Sequence, residues 1–183
     1  VEHAISALPS DFDGTVVVLS GDVPLIDAVT IERLVRGHLE GGRAMTMLSA
    51  IFENPTGLGR ILRDSSGAVT GIVEEKDATD MQRRITEING GIYVFARRAI
   101  EQALTEIDTN NAQGEKYLTD AAARILASGG AVEAVATNDP WLIAGVNDRV
   151  QLAEAGRELN ARIVRDHQRA GVTIQDPTAT WID

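Results

Sequence analysis

No cysteine occurs among the 183 residues. Disulfides, thiolate zinc or iron–sulfur sites and a cysteine nucleophile are therefore excluded. Histidine is scarce too: His3, His38 and His167 are scattered along the chain, so no His-rich metal site is expected and any metal should be hard and oxygen-bound. His3 lies near the start while His38 and His167 fall within helical patterns, which leaves a Ser-His-Asp hydrolase little support and places all three at a surface or boundary. Positive charge is in the minority, 17 Lys+Arg against 27 Asp+Glu for a net charge of −10. Nucleic-acid affinity rests on Lys and Arg neutralising phosphates, so a backbone binder is disfavoured while small phosphorylated ligands stay open. No stretch approaches the ~20 consecutive apolar residues that span a bilayer. The start, Val1-Glu-His-Ala, lacks a charged segment followed by an apolar run, and the cytoplasm is the expected location. Neither a G-x-x-x-x-G-K-[ST] loop nor a G-x-G-x-x-G behind a strand is present, because Gly57-Leu-Gly59 leads into a β-rich run.

What is present reads as an α/β unit. Thr15 to Leu19 is a continuous β-branched run bounded by turn residues, the pattern of a strand buried on both faces. Asp27 can cap a helix whose Ile31, Leu34, Val35 and Leu39 recur at helical spacing, with Gly41-Gly42 as the stop. Ala44 to Phe52 predicts a second strand. Arg60 to Arg63 and Ala68 to Glu74 predict a hairpin across Asp64-Ser-Ser-Gly67. Ile88 to Ala96 predicts another strand, Arg98 to Ile107 a helix, Tyr117 onward a helix ending at Gly129-Gly130, and Ala131 to Thr137 a strand. Asn147-Asp148 can open a long helix to about Ala170, and Val172 to Asp183 has no helical period. The expectation is one α/β unit with a mixed sheet over residues 1–171, followed by a connecting segment at 172–183.

Ligands of open α/β sheets bind beyond the carboxyl ends of the strands, and Asp22 lies there, three residues past Leu19, with small Ser20 and Gly21 before it. A carboxylate so placed suits Mg²⁺, which shares its shell with phosphates and water; it also suits a plain Asx turn. Asn147 can complete a hard-metal site through its amide oxygen, or serve simply as a helix cap. Glu74 at a strand end, Asn89 before Gly90-Gly91 and the backbone at Gly59 offer a carboxylate, an amide and a close approach, a set suited to a sugar if the edges meet.

Taken in order, Ser20-Gly-Asp-Val-Pro-Leu-Ile26, Pro55-Thr-Gly-Leu-Gly-Arg-Ile61, Gly71-Ile-Val-Glu-Glu-Lys-Asp-Ala78, Glu87-Ile-Asn-Gly-Gly-Ile92, Asn110-Asn-Ala-Gln-Gly-Glu115, Tyr117-Leu-Thr-Asp120 and Gly145-Val-Asn147 resemble one family. It is the uridyltransferase domain of the bacterial bifunctional N-acetylglucosamine-1-phosphate uridyltransferase/glucosamine-1-phosphate N-acetyltransferases. The resemblance implies a Rossmann-like nucleotide-diphospho-sugar transferase fold. It also implies a reaction in which UTP and N-acetylglucosamine 1-phosphate give UDP-N-acetylglucosamine and pyrophosphate for cell-envelope synthesis. By the same resemblance Asp22 and Asn147 hold Mg²⁺, Asp22 being the catalytic position. Ser20 and Gly21 line that site, Gly59, Glu74 and Asn89 hold the sugar, and Tyr117 and Thr119 form a neighbouring wall. Ser20 stands where many relatives have Tyr, and Asp148 where an Asn is common.

The family's glycine-rich phosphate loop and uracil-binding segment have no counterpart in these residues, and Thr180-Trp-Ile-Asp183 resembles the lead into a left-handed β-helix acetyltransferase domain. The resemblance thus implies a middle section of a longer, homotrimeric protein, with the nucleotide-binding part missing and little activity alone. Two other readings fit the same residues: a non-catalytic sugar-nucleotide-binding remnant, and a pyrophosphorylase for a different nucleotide sugar.

Overall fold

The structure, a computed structural model, describes residues 1–182. Six strands form one mixed sheet: β1 (Thr15–Val18), β2 (Met45–Ile51), β3 (Arg60–Arg63), β4 (Val69–Val73), β5 (Glu87–Ala96) and β6 (Val132–Thr137). The sheet runs β4-β3-β5-β2-β6, and β1 also pairs with β5. Only β2 and β6 are parallel; the other pairings are antiparallel. The long β5 is the spine. One of its edges carries β2, and the other is shared between β1 at the carboxyl end and the β3–β4 hairpin near Ile88.

Alternation along β2 and β5 divides the core between two faces, as the period of two requires. Met45, Met47, Tyr93 and Phe95 pack with Ile100, Leu104, Ala121 and Ile125, so helices α3 (Arg97–Glu106) and α4 (Ala121–Ala127) cover one face. The short α1 (Glu2–Ser6) adds Ile5 to that layer. Leu48, Ala50, Ile88, Ile92 and Val94 pack with Leu34 of α2 (Ala28–Glu40) and with Ile143 on the opposite face. Burial of such side chains contributes roughly 1.5–3 kcal/mol each. The α/β expectation with a mixed sheet holds.

Local signals explain most boundaries. Asp27 caps α2 by accepting from Thr30 N at 2.6 Å, and Gly41 closes it. Helix α5 (Arg149–Arg169) is capped by Asp148, whose side chain accepts from Gln151 N at 2.8 Å. Asn147 is therefore not the cap, and its side chain is left for other work. Two further expectations are overturned. The first strand is only half covered, with Val17 and Leu19 exposed, because it pairs with β5 on one side and with no strand on its outer edge among the described residues. His38 is buried, and its Nδ1 lies 3.0 Å from the Thr46 hydroxyl of β2; the covered face of α2 is Thr30, Leu34 and His38, while Leu39 is 62% exposed.

Residues 172–182 form neither helix nor strand. They fold back on α5, where Asn160 donates to Thr180 O at 2.7 Å and accepts from Ile182 N at 3.1 Å. Asp183, the last residue of the string compared with a β-helix lead-in, lies outside the described residues.

Candidate active site

The site is built around an irregularity in β5. Met47 faces Tyr93 and Ser49 faces Asn89, so four steps along β5 match two along β2 and the strand bulges by two residues. Gly91 supplies the left-handed conformation this needs, φ +68°. Gly90 supplies the space: a Cβ there would stand 2.6 Å from Ile143 Cγ2 and 2.8 Å from Leu48 O. The Ser20 hydroxyl donates to Gly91 O at 2.9 Å, which ties the loop after β1 to the bulge.

Beyond this tie lies the first group of polar residues. Asp22 follows β1, and its carbonyl accepts from Val146 N at 2.8 Å. That bond brings the segment before α5 alongside, so a Cβ on Gly145 would stand 3.4 Å from Asp22 Oδ2 and 3.8 Å from Asn147 Nδ2. Asp22 and Asn147, 125 positions apart in sequence, thus flank one small exposed space kept open by a glycine. The Asn147 backbone is held by Gln151, whose Oε1 accepts its N–H at 2.6 Å. A cleft of about 290 Å³ runs outward from Asn147 and Gly145 between Asn54, Leu58, Trp141 and Ile143.

The second group lies on the other side of the bulge. Gly59 accepts from Asn89 N at 2.9 Å, joining β3 to β5, and a Cβ on Gly59 would stand 3.2 Å from Glu74 Oε2. The Thr119 hydroxyl donates to Glu74 Oε1 at 3.0 Å. Asn89 is locked at both ends: its Nδ2 donates to Tyr93 Oη at 2.6 Å, and its Oδ1 accepts from Gly91 N at 3.2 Å. Burial, together with the negative charge of Glu74, pushes the Tyr93 hydroxyl up to about 12, so it stays protonated. Tyr117 stands two residues before Thr119, and its buried hydroxyl has no partner among the described residues. Gly59 is thus in contact with both Asn89 and Glu74, and Glu74 with Thr119, forming one group; Asp22 and Asn147 flank Gly145 in the other, and Ser20, two residues before Asp22, bonds to Gly91 between the two. Gly21 and Asp22 are exposed at the rim.

Residues 1–176 match the family described as "Nucleotidyl transferase". The chain belongs to the nucleotidyl transferase family. Over its full length it is 57% identical to the bifunctional protein GlmU of Clavibacter sepedonicus and 55% identical to that of Mycolicibacterium gilvum, covering 37% of each relative. The chain spans a little over a third of the length of these relatives, and the resemblance read from its motifs is borne out. Its fold is similar to a solved CMP:2-keto-3-deoxy-manno-octonic acid synthetase complexed with CTP, at a TM-score of 0.56 and 16% identity. That match covers 88% of this chain and 66% of that one.

In this nucleotidyl transferase no cluster of three or more His, Cys, Asp or Glu able to hold a metal occurs among the described residues. The pair that flanks Gly145 is one carboxylate, Asp22, and one amide, Asn147, which has Nδ2 on that side and would offer its Oδ1 after a turn of the amide. Such a pair fits a hard cation that draws its remaining ligands from water and phosphate. Tyr93, Gly91 and Gly145 escaped the sequence reading. The Gly90-Gly91 pair inside a β run was the available signal for a bulge that could turn a tyrosine toward Asn89.

Proposed function

We propose that the chain forms the sugar- and metal-binding part of a uridyltransferase that makes UDP-N-acetylglucosamine and pyrophosphate from UTP and N-acetylglucosamine 1-phosphate. The observation that carries this reading is the approach of Asp22 and Asn147 to Gly145, together with the contacts that join Gly59, Glu74, Asn89 and Thr119. A sugar phosphate whose ring lies in the second group and whose phosphate reaches the first has both recognition and charge neutralisation within one continuous surface.

The nucleophile is a phosphate oxygen of the sugar phosphate, already ionised near neutral pH, so no general base is needed. It attacks the α-phosphorus of UTP, the bond to the pyrophosphate oxygen breaks, and pyrophosphate leaves. Mg²⁺ held by Asp22 and Asn147 would neutralise phosphate oxygens and steady the leaving group. Glu74, fixed by Thr119, accepts from sugar hydroxyl or acetamido N–H groups. Asn89, fixed by Tyr93 and Gly91, presents an amide of set orientation. The gain from these residues is mainly orientation.

The grip on the triphosphate and uracil is placed outside the 183 residues, since no glycine-rich phosphate loop occurs in them. In this reading residues 1–171 are the transferase portion. Residues 172–183 lead toward a further domain of a longer, trimeric cytoplasmic protein serving cell-envelope synthesis. The test is a pyrophosphate-release assay with Mg²⁺, UTP and N-acetylglucosamine 1-phosphate on the 183-residue chain and on the full-length protein that carries it. Turnover is expected in the longer protein and little in the chain alone. A full-length protein that releases no pyrophosphate with this sugar phosphate, but does so with another, would replace the substrate.

A further inference from the structure

Arg60 carries a positive charge in a place where the proposed reaction has no use for one. It follows Gly59 at the start of β3 and is 1% exposed. Taking a guanidinium out of water is costly, and three partners offset the cost incompletely. Its guanidinium donates to Glu75 Oε2 at 2.6 Å, to the carbonyl of Leu58 and to Arg83 O at 3.4 Å. Its Nε is buried with no partner. Glu75 also accepts from the Gly57 N–H, and these bonds, with the one from Arg60 foremost, hold its carboxyl below the usual range. One side chain thereby joins three segments: the turn at 57–58, the turn after β4 at 74–77, and the 3₁₀ turn Gln82–Arg84.

The positions these bonds flank are Gly59 and Glu74, which approach so closely that a Cβ on Gly59 would stand 3.2 Å from Glu74 Oε2. Glu75 follows Glu74 directly, and Leu58 precedes Gly59 directly. Arg60 is buried while the Glu75 side chain is 27% exposed, and well-packed apolar residues often replace buried charges with no loss of stability, so the buried guanidinium calls for a reason beyond holding the fold. We propose that Arg60 is a positioning residue for the sugar phosphate. Through Leu58 and Glu75 it sets the gap between the Gly59 backbone and the Glu74 carboxylate, without touching substrate. The proposal rests on the uridyl-transfer reading above.

The test uses steady-state kinetics of the full-length protein carrying this chain, with Arg60→Met, Arg60→Lys and Glu75→Gln. In Arg60→Met the KM for N-acetylglucosamine 1-phosphate is expected to rise about tenfold, while the KM for UTP stays within about twofold. Arg60→Lys should recover part of the loss, because an ammonium keeps the charge but not the fork that reaches several acceptors. Glu75→Gln should shift the same KM in the same direction by less. Unchanged sugar-phosphate KM in both Arg60→Met and Glu75→Gln, or equal rises in the two KM values, would overturn the proposal. Should Arg60→Met fail to fold, Arg60→Lys and Glu75→Gln decide on the same criterion. A wild-type protein unable to use this sugar phosphate would instead bring down the reaction assigned to the site, and the role of Arg60 with it.

Discussion

The Thr119 hydroxyl donates to Oε1 of Glu74 at 3.0 Å across 45 residues of sequence. Thr119 is buried at 6% exposure and its bond fixes the carboxylate, both of whose oxygens lie close to Gly59, at 3.2 and 3.3 Å from where a Cβ would stand. Thr119→Val keeps the shape and removes the donor. The expected outcome in the full-length protein is a rise of about three- to tenfold in the KM for the sugar phosphate, with the KM for UTP unchanged, since one hydrogen bond to a charged group is worth about 1.5–3 kcal/mol before partial rescue by water. Glu74→Ala should cost more on the same axis. Equal affinity for UDP-N-acetylglucosamine in wild type and Glu74→Ala by calorimetry would remove Glu74 from the sugar site.

Asp22 and Asn147 separate by charge. Asp22→Asn keeps the backbone bond from Val146 N to the Asp22 carbonyl, so the loop should survive while the only carboxylate in the pair disappears. If the proposed site holds, the Mg²⁺ concentration for half-maximal activity is expected to rise by at least about tenfold, with kcat falling too, because the proposed cation would lose its one charged protein ligand. Asn147→Ala should raise it less. Because Asp148 rather than Asn147 caps α5, Asn147→Ala should leave the thermal midpoint within a few degrees; a large drop would mean that Asn147 serves the helix.

Much of this was legible along the chain because the signals were local. Asp27 before α2, Gly41 after it, the Asp64–Gly67 turn and the β-branched run at Thr15–Val18 each announce themselves within a few residues. Asp22, Glu74 and Asn147 stood out because each ends or follows a strand or precedes a helix, and Asn89 because it precedes Gly90-Gly91. What was not legible depends on contacts distant in sequence. His38 was read as a surface or boundary residue because apolar side chains alone marked the helix's inner face, although position 38 continues that face from Ile31 and Leu34; Thr46, on a strand after the helix, supplies the polar partner that lets an imidazole go inside. Tyr93 looked like an ordinary β residue until the bulge at Gly90-Gly91 brought its hydroxyl to Asn89.

Buried His38 makes stability depend on pH. Its pKa lies below the ordinary 6.5 because burial disfavours the imidazolium. The unfolded chain then binds the proton more readily than the folded one, so stability is full above 6.5 and falls as pH drops from there through the folded value. Glu87 adds a separate loss at lower pH: burial pushes its carboxyl up, but the bonds from Arg63 and Ser49 outweigh this and leave it below the ordinary 4.5. Its contribution is present above that value and lost below it. Urea unfolding at pH 8 and pH 5.5 should therefore show a lower midpoint at pH 5.5 for wild type. His38→Gln, which can keep a bond to Thr46, should show a smaller difference; an equal difference would acquit His38.

The outer edge of β1 has no partner among the described residues, and Val17 and Leu19 are exposed beside it. Unpaired backbone groups next to apolar side chains template pairing with another strand. The isolated 183-residue chain is expected to associate in a concentration-dependent way, read by light scattering. Val17→Lys should shift the distribution toward monomer, as charge on an edge strand opposes pairing. A monodisperse monomer for wild type at high concentration would show that this edge is not sticky.

Asn160 is buried at 7% exposure in the middle of α5, an unfavourable place for an amide unless both of its ends are used. They are: the nitrogen donates to Thr180 O and the oxygen accepts from Ile182 N, which clasps the final segment to the helix. Asn160→Ala leaves both backbone groups without that partner, so the segment should detach rather than bury them unpaired, at a cost of about 1–3 kcal/mol. Detachment should expose the chain after Gly171 to protease while α5 and the sheet stay resistant, because the helix keeps its Asp148 cap and its contacts through Ala155 and Val164. Limited proteolysis followed by intact-mass measurement reads this directly. Faster loss of the last dozen residues in Asn160→Ala supports the clasp, whereas the same cleavage rate in both proteins would show that Pro177 and Trp181, which line the groove beside α5, hold the segment without it.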